Sequence, residues 1–112
     1  LYEHSIELKA GETKLMPLTL EVKKDIRKPE LFTYTIYRTS GEYSEDKLTL
    51  PEGLEVVIEP SELTVCPNTT YISILTIRTS PGVTGGEYYF LLERYLENGF
   101  RGRGWIRVNV TP

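Results

Sequence analysis

A two-residue rhythm with no helical counterpart constrains this chain more than any other feature. Apolar and polar residues alternate along "YEHSIEL", "KLMPLTLEVKK", "LFTYTIYRT", "LEVVIEP", "EYYFLLERY" and "GWIRVNV". Successive side chains of a β-strand point to opposite faces, so this period buries one face and wets the other. Gly, Pro, Asn and Ser punctuate the runs at intervals of about ten residues, the spacing of an all-β sandwich or barrel.

Alternation also assigns faces. It turns Tyr2, His4, Ile6 and Leu8 to one side, and Met16, Leu18, Leu20 and Val22 to one side of the next run. Phe32, Tyr34 and Ile36 are expected inward, with Thr33, Thr35 and Tyr37 outward. Leu54, Val56, Ile58, Leu63, Val65, Leu75 and Ile77 continue the core, then Tyr88, Phe90 and Leu92, then Ile106, Val108 and Val110. Pro17 has no N–H for a ladder, so its strand is expected at an edge or a bulge. "KKDIRKPE" and "SGEYSEDKLTLPEG" read as loops, the second with a short strand at Leu48 to Leu50. The expectation is a two-layer antiparallel sandwich of about seven to eight strands. Residues 1–112 form one domain, with no internal repeat and no linker.

At 112 residues the chain can bury roughly two-thirds of its unfolded surface around a single core. Its net charge of −3 lacks the basic excess of nucleic-acid-binding domains, which argues against that partner. Acid gathers in Glu42, Glu45, Asp46, Glu52, Glu55, Glu59 and Glu62; base gathers in Lys23, Lys24, Arg27 and Lys28, and in Arg101, Arg103 and Arg107. Such blocks read as solvated loops and edges. One cysteine, Cys66, permits no internal disulfide, and one histidine, His4, gives it no evident catalytic base. The same shortage argues against a metal site, and the acidic loop lacks the spacing of a calcium loop. Adjacent carboxylates such as Glu45 and Asp46 do not converge as acid–base catalysis requires. No enzyme and no cofactor is expected, nor any membrane insertion within this segment. Beginning at Leu1 rather than Met, the chain reads as an excised piece or a processed product.

Three motifs bring a family into view: Gly53-Leu54-Glu55-Val56 with Pro60, Pro67-Asn68-Thr69-Thr70, and Gly86-Glu87-Tyr88. Their order resembles the immunoglobulin-like modules, of the adhesion-related type, repeated in bacterial and archaeal surface proteins. Asn68 stands where such modules usually have glycine, a left-handed position that Asn tolerates. The resemblance implies a non-catalytic spacer, adhesive unit or docking surface in an extracellular or cell-surface protein. Its partners would be neighbouring domains of the parent chain, another surface protein, or a glycan. Two alternatives stand beside it: a carbohydrate-binding accessory module of a secreted enzyme, and a polypeptide-binding, chaperone-like sandwich. Asn68-Thr69-Thr70 and Asn109-Val110-Thr111 are acceptor triplets for N-glycosylation.

In an immunoglobulin-like sandwich the third strand and the last two share a sheet. Their outward residues then include Tyr37, Tyr89, Leu91, Tyr95, Trp105 and Arg107. Aromatic residues and Arg are enriched at protein interfaces, which makes this the candidate interaction face. Between the last two strands, "ENGFRGRGW" carries the hairpin signal Asn98-Gly99. A plain two-residue loop there would set inward Leu92 against outward Trp105. Opposed residues must share a face, so an offset is required. It could be a three-residue loop through Phe100, or a bulge at Gly102 or Gly104.

Overall fold

The computed structural model describes residues 2–22, 28–41, 43–97 and 99–112. Residues 23–27 of the first expected loop, Glu42 of the second and Asn98 of the hairpin turn lie outside them, as do the side chains of Tyr2 and His4. Nine strands form among the described residues, in two sheets and without a helix. They are β1 (Tyr2–Lys9), β2 (Thr13–Val22), β3 (Glu30–Thr39), β4 (Lys47–Leu48), β5 (Leu54–Glu59), β6 (Glu62–Val65), β7 (Thr69–Thr79), β8 (Gly86–Leu96) and β9 (Gly99–Thr111). The larger sheet runs β1-β9-β8-β3-β4, with β6 also on β3; the smaller runs β2-β7-β5. All pairs are antiparallel except β1 with β9.

The expected inward sets form the core. Phe90, Leu92, Leu75, Ile77, Val65, Ile106 and Val108 are essentially inaccessible, with Phe32, Tyr34, Leu54, Ile58 and Tyr88 packed among them. The short strand expected at Leu48 to Leu50 is two residues, Lys47–Leu48, and Leu50 lies outside it. An arginine joins the inward row of β3. Arg38 lies over the Tyr88 ring, 5.0 Å from its centroid, and its Nη1 donates to the carbonyl oxygen of Thr49 at 2.9 Å. A guanidinium stacked on an aromatic face can close the end of an apolar layer, here with Nη1 reaching a carbonyl and Nε buried without a hydrogen-bond partner.

Pro17 sits on an edge strand, one of the two placements expected from its missing donor. Thr79 N–H donates to Glu12 O at 3.0 Å in the register that pairs β2 with β7. Even-numbered residues of β2 therefore aim their backbone groups at β7, and odd-numbered ones aim theirs away from the sheet. Pro17 is one of the latter, so the free edge of β2 lacks a donor at its middle.

The β8–β9 hairpin carries the required offset. From Gly86↔Val110 to Arg94↔Gly102 the strands keep one register, which opposes Phe90 to Ile106 and Leu91 to Trp105. The register shifts between Arg94 and Tyr95, and Tyr95 pairs with Phe100. The skipped residue is Arg101, so the bulge falls one position before the glycines expected to hold it. No three-residue loop forms: Leu96 pairs with Gly99, whose φ is 136°. Leu92 consequently meets Gly104 rather than Ile106, and both face the core.

Candidate interaction faces

The third, eighth and ninth strands do share a sheet, and register assembles their outward residues into rows. Tyr37, Leu91 and Trp105 form one row; Thr35, Glu93 and Arg103 form the next; Thr39, Tyr89 and Arg107 form another. Tyr95 stands beside Thr33 one row further on. Leu91 lies on the expected face, yet it is wholly inaccessible, and Glu93 is only 7% exposed. The chain itself covers them.

The connection between β3 and β4 folds back across this face as a strap. The Tyr43 ring meets Trp105 edge-on, with centroids 5.4 Å apart. The indole Nε1 of Trp105 donates to Ser44 O at 3.3 Å, and Arg103 pairs with Glu45 at 3.0 Å. Lys47 places its ammonium 4.6 Å from the centroid of Tyr37. Tyr43 holds a φ of 60°, a left-handed conformation that non-glycine residues adopt at some cost.

Under the strap lies a polar network. Glu93 bonds to the phenols of Tyr37 and Tyr95 and faces Arg103 at 3.6 Å. Burial pushes both phenols above the ordinary tyrosine range, and the adjacent Glu93 carboxylate pushes them further by disfavouring a second negative charge. Beyond the strap the face is polar. Arg107 bonds to Ser5 Oγ at 2.9 Å and faces Glu87 at 3.6 Å, while the Tyr89 hydroxyl donates to Glu87 at 2.8 Å.

The opposite side of the sandwich presents a face that the aromatic count did not single out. On the outer side of the smaller sheet, register sets Thr76 between Leu15 and Val57, Pro17 beside Ile74, and Thr19 beside Ile72. Leu15 is 66% exposed, Ile72 61%, Val57 40% and Ile74 37%. Most polar-faced strands alternate cleanly, so four large aliphatic groups on a solvent-facing surface stand out. The signal was present in the sequence: once Leu75 and Ile77 face in, Ile72 and Ile74 must face out. Arg78 pairs with Glu55 at one end of this stripe.

The remaining positions are dispersed. Asn68 is exposed, with a φ of 56°, in the turn before β7. Asn109 is half-buried in β9, between Glu7 of β1 and Glu87 of β8. Cys66 is exposed, and its N–H donates to the Tyr71 hydroxyl at 2.8 Å. Among the described residues no three of His, Cys, Asp and Glu converge closely enough to hold a metal ion. No helix among them is long and apolar enough to cross a membrane.

No protein-family model matches the sequence, and a search of curated proteins finds no match. Solved structures do resemble it. The PapD-like domain 7 (ASH/PapD-like) of human CEP192 matches with a TM-score of 0.57 at 16% identity, over 95% of this chain and 80% of that one. The CupB2 chaperone of Pseudomonas aeruginosa matches with a TM-score of 0.57 at 20% identity, over 95% of this chain and 52% of that one. A chaperone–tip adhesion subunit pre-assembly complex, CsuC–CsuE of the archaic chaperone-usher Csu pili of Acinetobacter baumannii, matches with a TM-score of 0.58 at 14% identity, over 98% of this chain and 48% of that one. The chain thus spans about half the length of the two chaperone-system chains it resembles. At these identities the likeness bears on architecture, and the architecture is a PapD-like immunoglobulin-like sandwich of two sheets.

Proposed function

We propose that this domain is a non-catalytic, polypeptide-binding module of a secreted or cell-surface protein. The observation that carries the proposal is the aliphatic stripe of Leu15, Ile72, Ile74 and Val57 on the outer face of the smaller sheet. Contiguous exposed apolar residues rimmed by polar ones mark interaction sites on soluble proteins. The likeness to a chaperone system crystallised with a tip adhesion subunit supports a polypeptide as partner. The aromatic face around Trp105 serves this role less directly, because Tyr43 already occupies Trp105. Glycan stacking on Trp105 meets the same obstacle. Asn68, exposed in its turn, is better placed than half-buried Asn109 to accept a glycan.

The test is a peptide array probed with the wild-type domain and with a Leu15→Glu/Ile72→Glu variant. Both substitutions are at exposed positions, so the variant should fold. Peptides bound by the wild type and released by the variant are expected. An array with no bound peptides, or one bound equally by both proteins, overturns the reading.

A further inference from the structure

Building on the polypeptide-binding reading, we infer that the outer face of the smaller sheet receives an amphipathic helix whose apolar stripe is flanked on one side by Lys or Arg. Backbone hydrogen bonding sets the first constraint. A segment added at a sheet edge satisfies its N–H and C=O groups through the ladder, whereas a segment laid across a sheet face finds no backbone partners there. A helix satisfies those groups internally, whereas an extended segment there leaves them to water. The exposed apolar groups lie on the face, and the adjoining β2 edge lacks a donor at Pro17.

Dimensions agree with a helical occupant. Three strands about 4.8 Å apart present a surface about 10 Å wide, and Ile72 to Thr76 spans about 13 Å at roughly 3.3 Å per residue. A helix is about 10–12 Å across and rises about 5.4 Å per turn, so two to three turns cover the stripe.

Charge supplies the flank. The outer positions of β5 are Glu55, Val57 and Glu59, and Glu52 lies in the turn before them. The outer positions of β2 beside the stripe, Leu15, Pro17 and Thr19, carry no charge, and exposed Glu21 follows them only beyond the row of Ile72. Arg78 is the only cation among the outward residues of these three strands, and it is paired with Glu55. Acid therefore lines the β5 side, and a partner with Lys or Arg along that side complements it.

Three synthetic peptides test the inference by calorimetric titration at low salt. One is a Leu/Lys amphipathic helix, the second has the same Leu spacing with Glu for Lys, and the third is the Leu/Lys sequence interrupted by proline. The Leu/Lys helix should bind at least tenfold more tightly than either other peptide. A Glu55→Lys/Glu59→Lys variant should reverse the preference between the first two, and Leu15→Glu/Ile72→Glu should abolish binding. Equal binding of the proline-interrupted peptide would show that an extended segment suffices and overturn the helix. Unchanged preference in the lysine variant would overturn the acidic flank. Concentration-dependent dimerisation of the wild type, lost in Leu15→Glu/Ile72→Glu, would assign the face to a second copy and overturn the inference as well. In the first two cases array binding that depends on Leu15 and Ile72 would survive, separating failure of this inference from failure of the proposed function.

Discussion

The indole of Trp105 is held by two consecutive residues of the strap: its ring stands at 70° to that of Tyr43, and its Nε1 donates to Ser44 O. This contact ties the strap to the row that Trp105 shares with buried Leu91. Trp105→Ala should lower unfolding free energy by about 2 kcal/mol, less than a fully buried aromatic because the ring is half-exposed. Trp105→Phe keeps a ring against Tyr43 and loses the donor, for about 1 kcal/mol. Urea denaturation measures both. Hydrogen exchange over residues 43–46 should accelerate in the alanine variant ahead of global unfolding.

Stability should fall in alkaline solution because of the Glu93 network. The Tyr37 and Tyr95 phenols are raised above the ordinary tyrosine value of 10.0 in the folded protein. Folding therefore favours their neutral forms. That contribution is complete below pH 10 and disappears as pH rises through the higher folded-state values. Glu93→Gln removes the neighbouring negative charge and should bring both phenols down. Ultraviolet titration of phenolate formation in the two proteins checks the direction.

Gly53 has a φ of 86°, and a side chain there would run into Ser80 Oγ and approach Val83. Gly53→Ala combines left-handed strain with crowding and should destabilise by about 2 kcal/mol, lowering the melting temperature by roughly 10 °C. Gly82, in open space, should accept alanine with almost no change. Calorimetry of the two variants separates a demand of this turn from a general effect of losing glycine.

Pro17 predicts a change in association rather than in folding. Pro17→Thr restores an outward N–H at the middle of the free β2 edge. An edge strand with a complete row of donors and acceptors is a template for pairing with another chain. Sedimentation should show concentration-dependent self-association in the variant, with the unfolding midpoint shifted by little.

Much of this architecture was legible along the chain because strand periodicity is local. A residue's face follows from its neighbours two positions away, so alternation placed Phe90, Leu92, Ile106 and Val108 in the core. Parity likewise demanded an offset in the final hairpin. Its location was not legible, since Arg101, Gly102 and Gly104 all satisfy the count, and hydrogen bonding with β8 chose Arg101. Leu91 marks the limit of the same logic. Alternation put it outward, and outward it points, yet it is inaccessible between Tyr37 and Trp105, on which Lys47 and Tyr43 fold back.

Local alternation and punctuation specify a two-faced all-β chain with Pro17 at an edge or a bulge, and the resemblance to immunoglobulin-like modules implies one sheet for the third strand and the last two. Which outer face stays open depends on tertiary contacts. That outcome depends on a loop docking against Trp105 across a long separation in sequence, and no local period encodes such a contact. The aromatic face, richest in interface residue types, is largely closed by its own chain. The plainer aliphatic stripe on the smaller sheet remains exposed because no loop among the described residues returns to cover it.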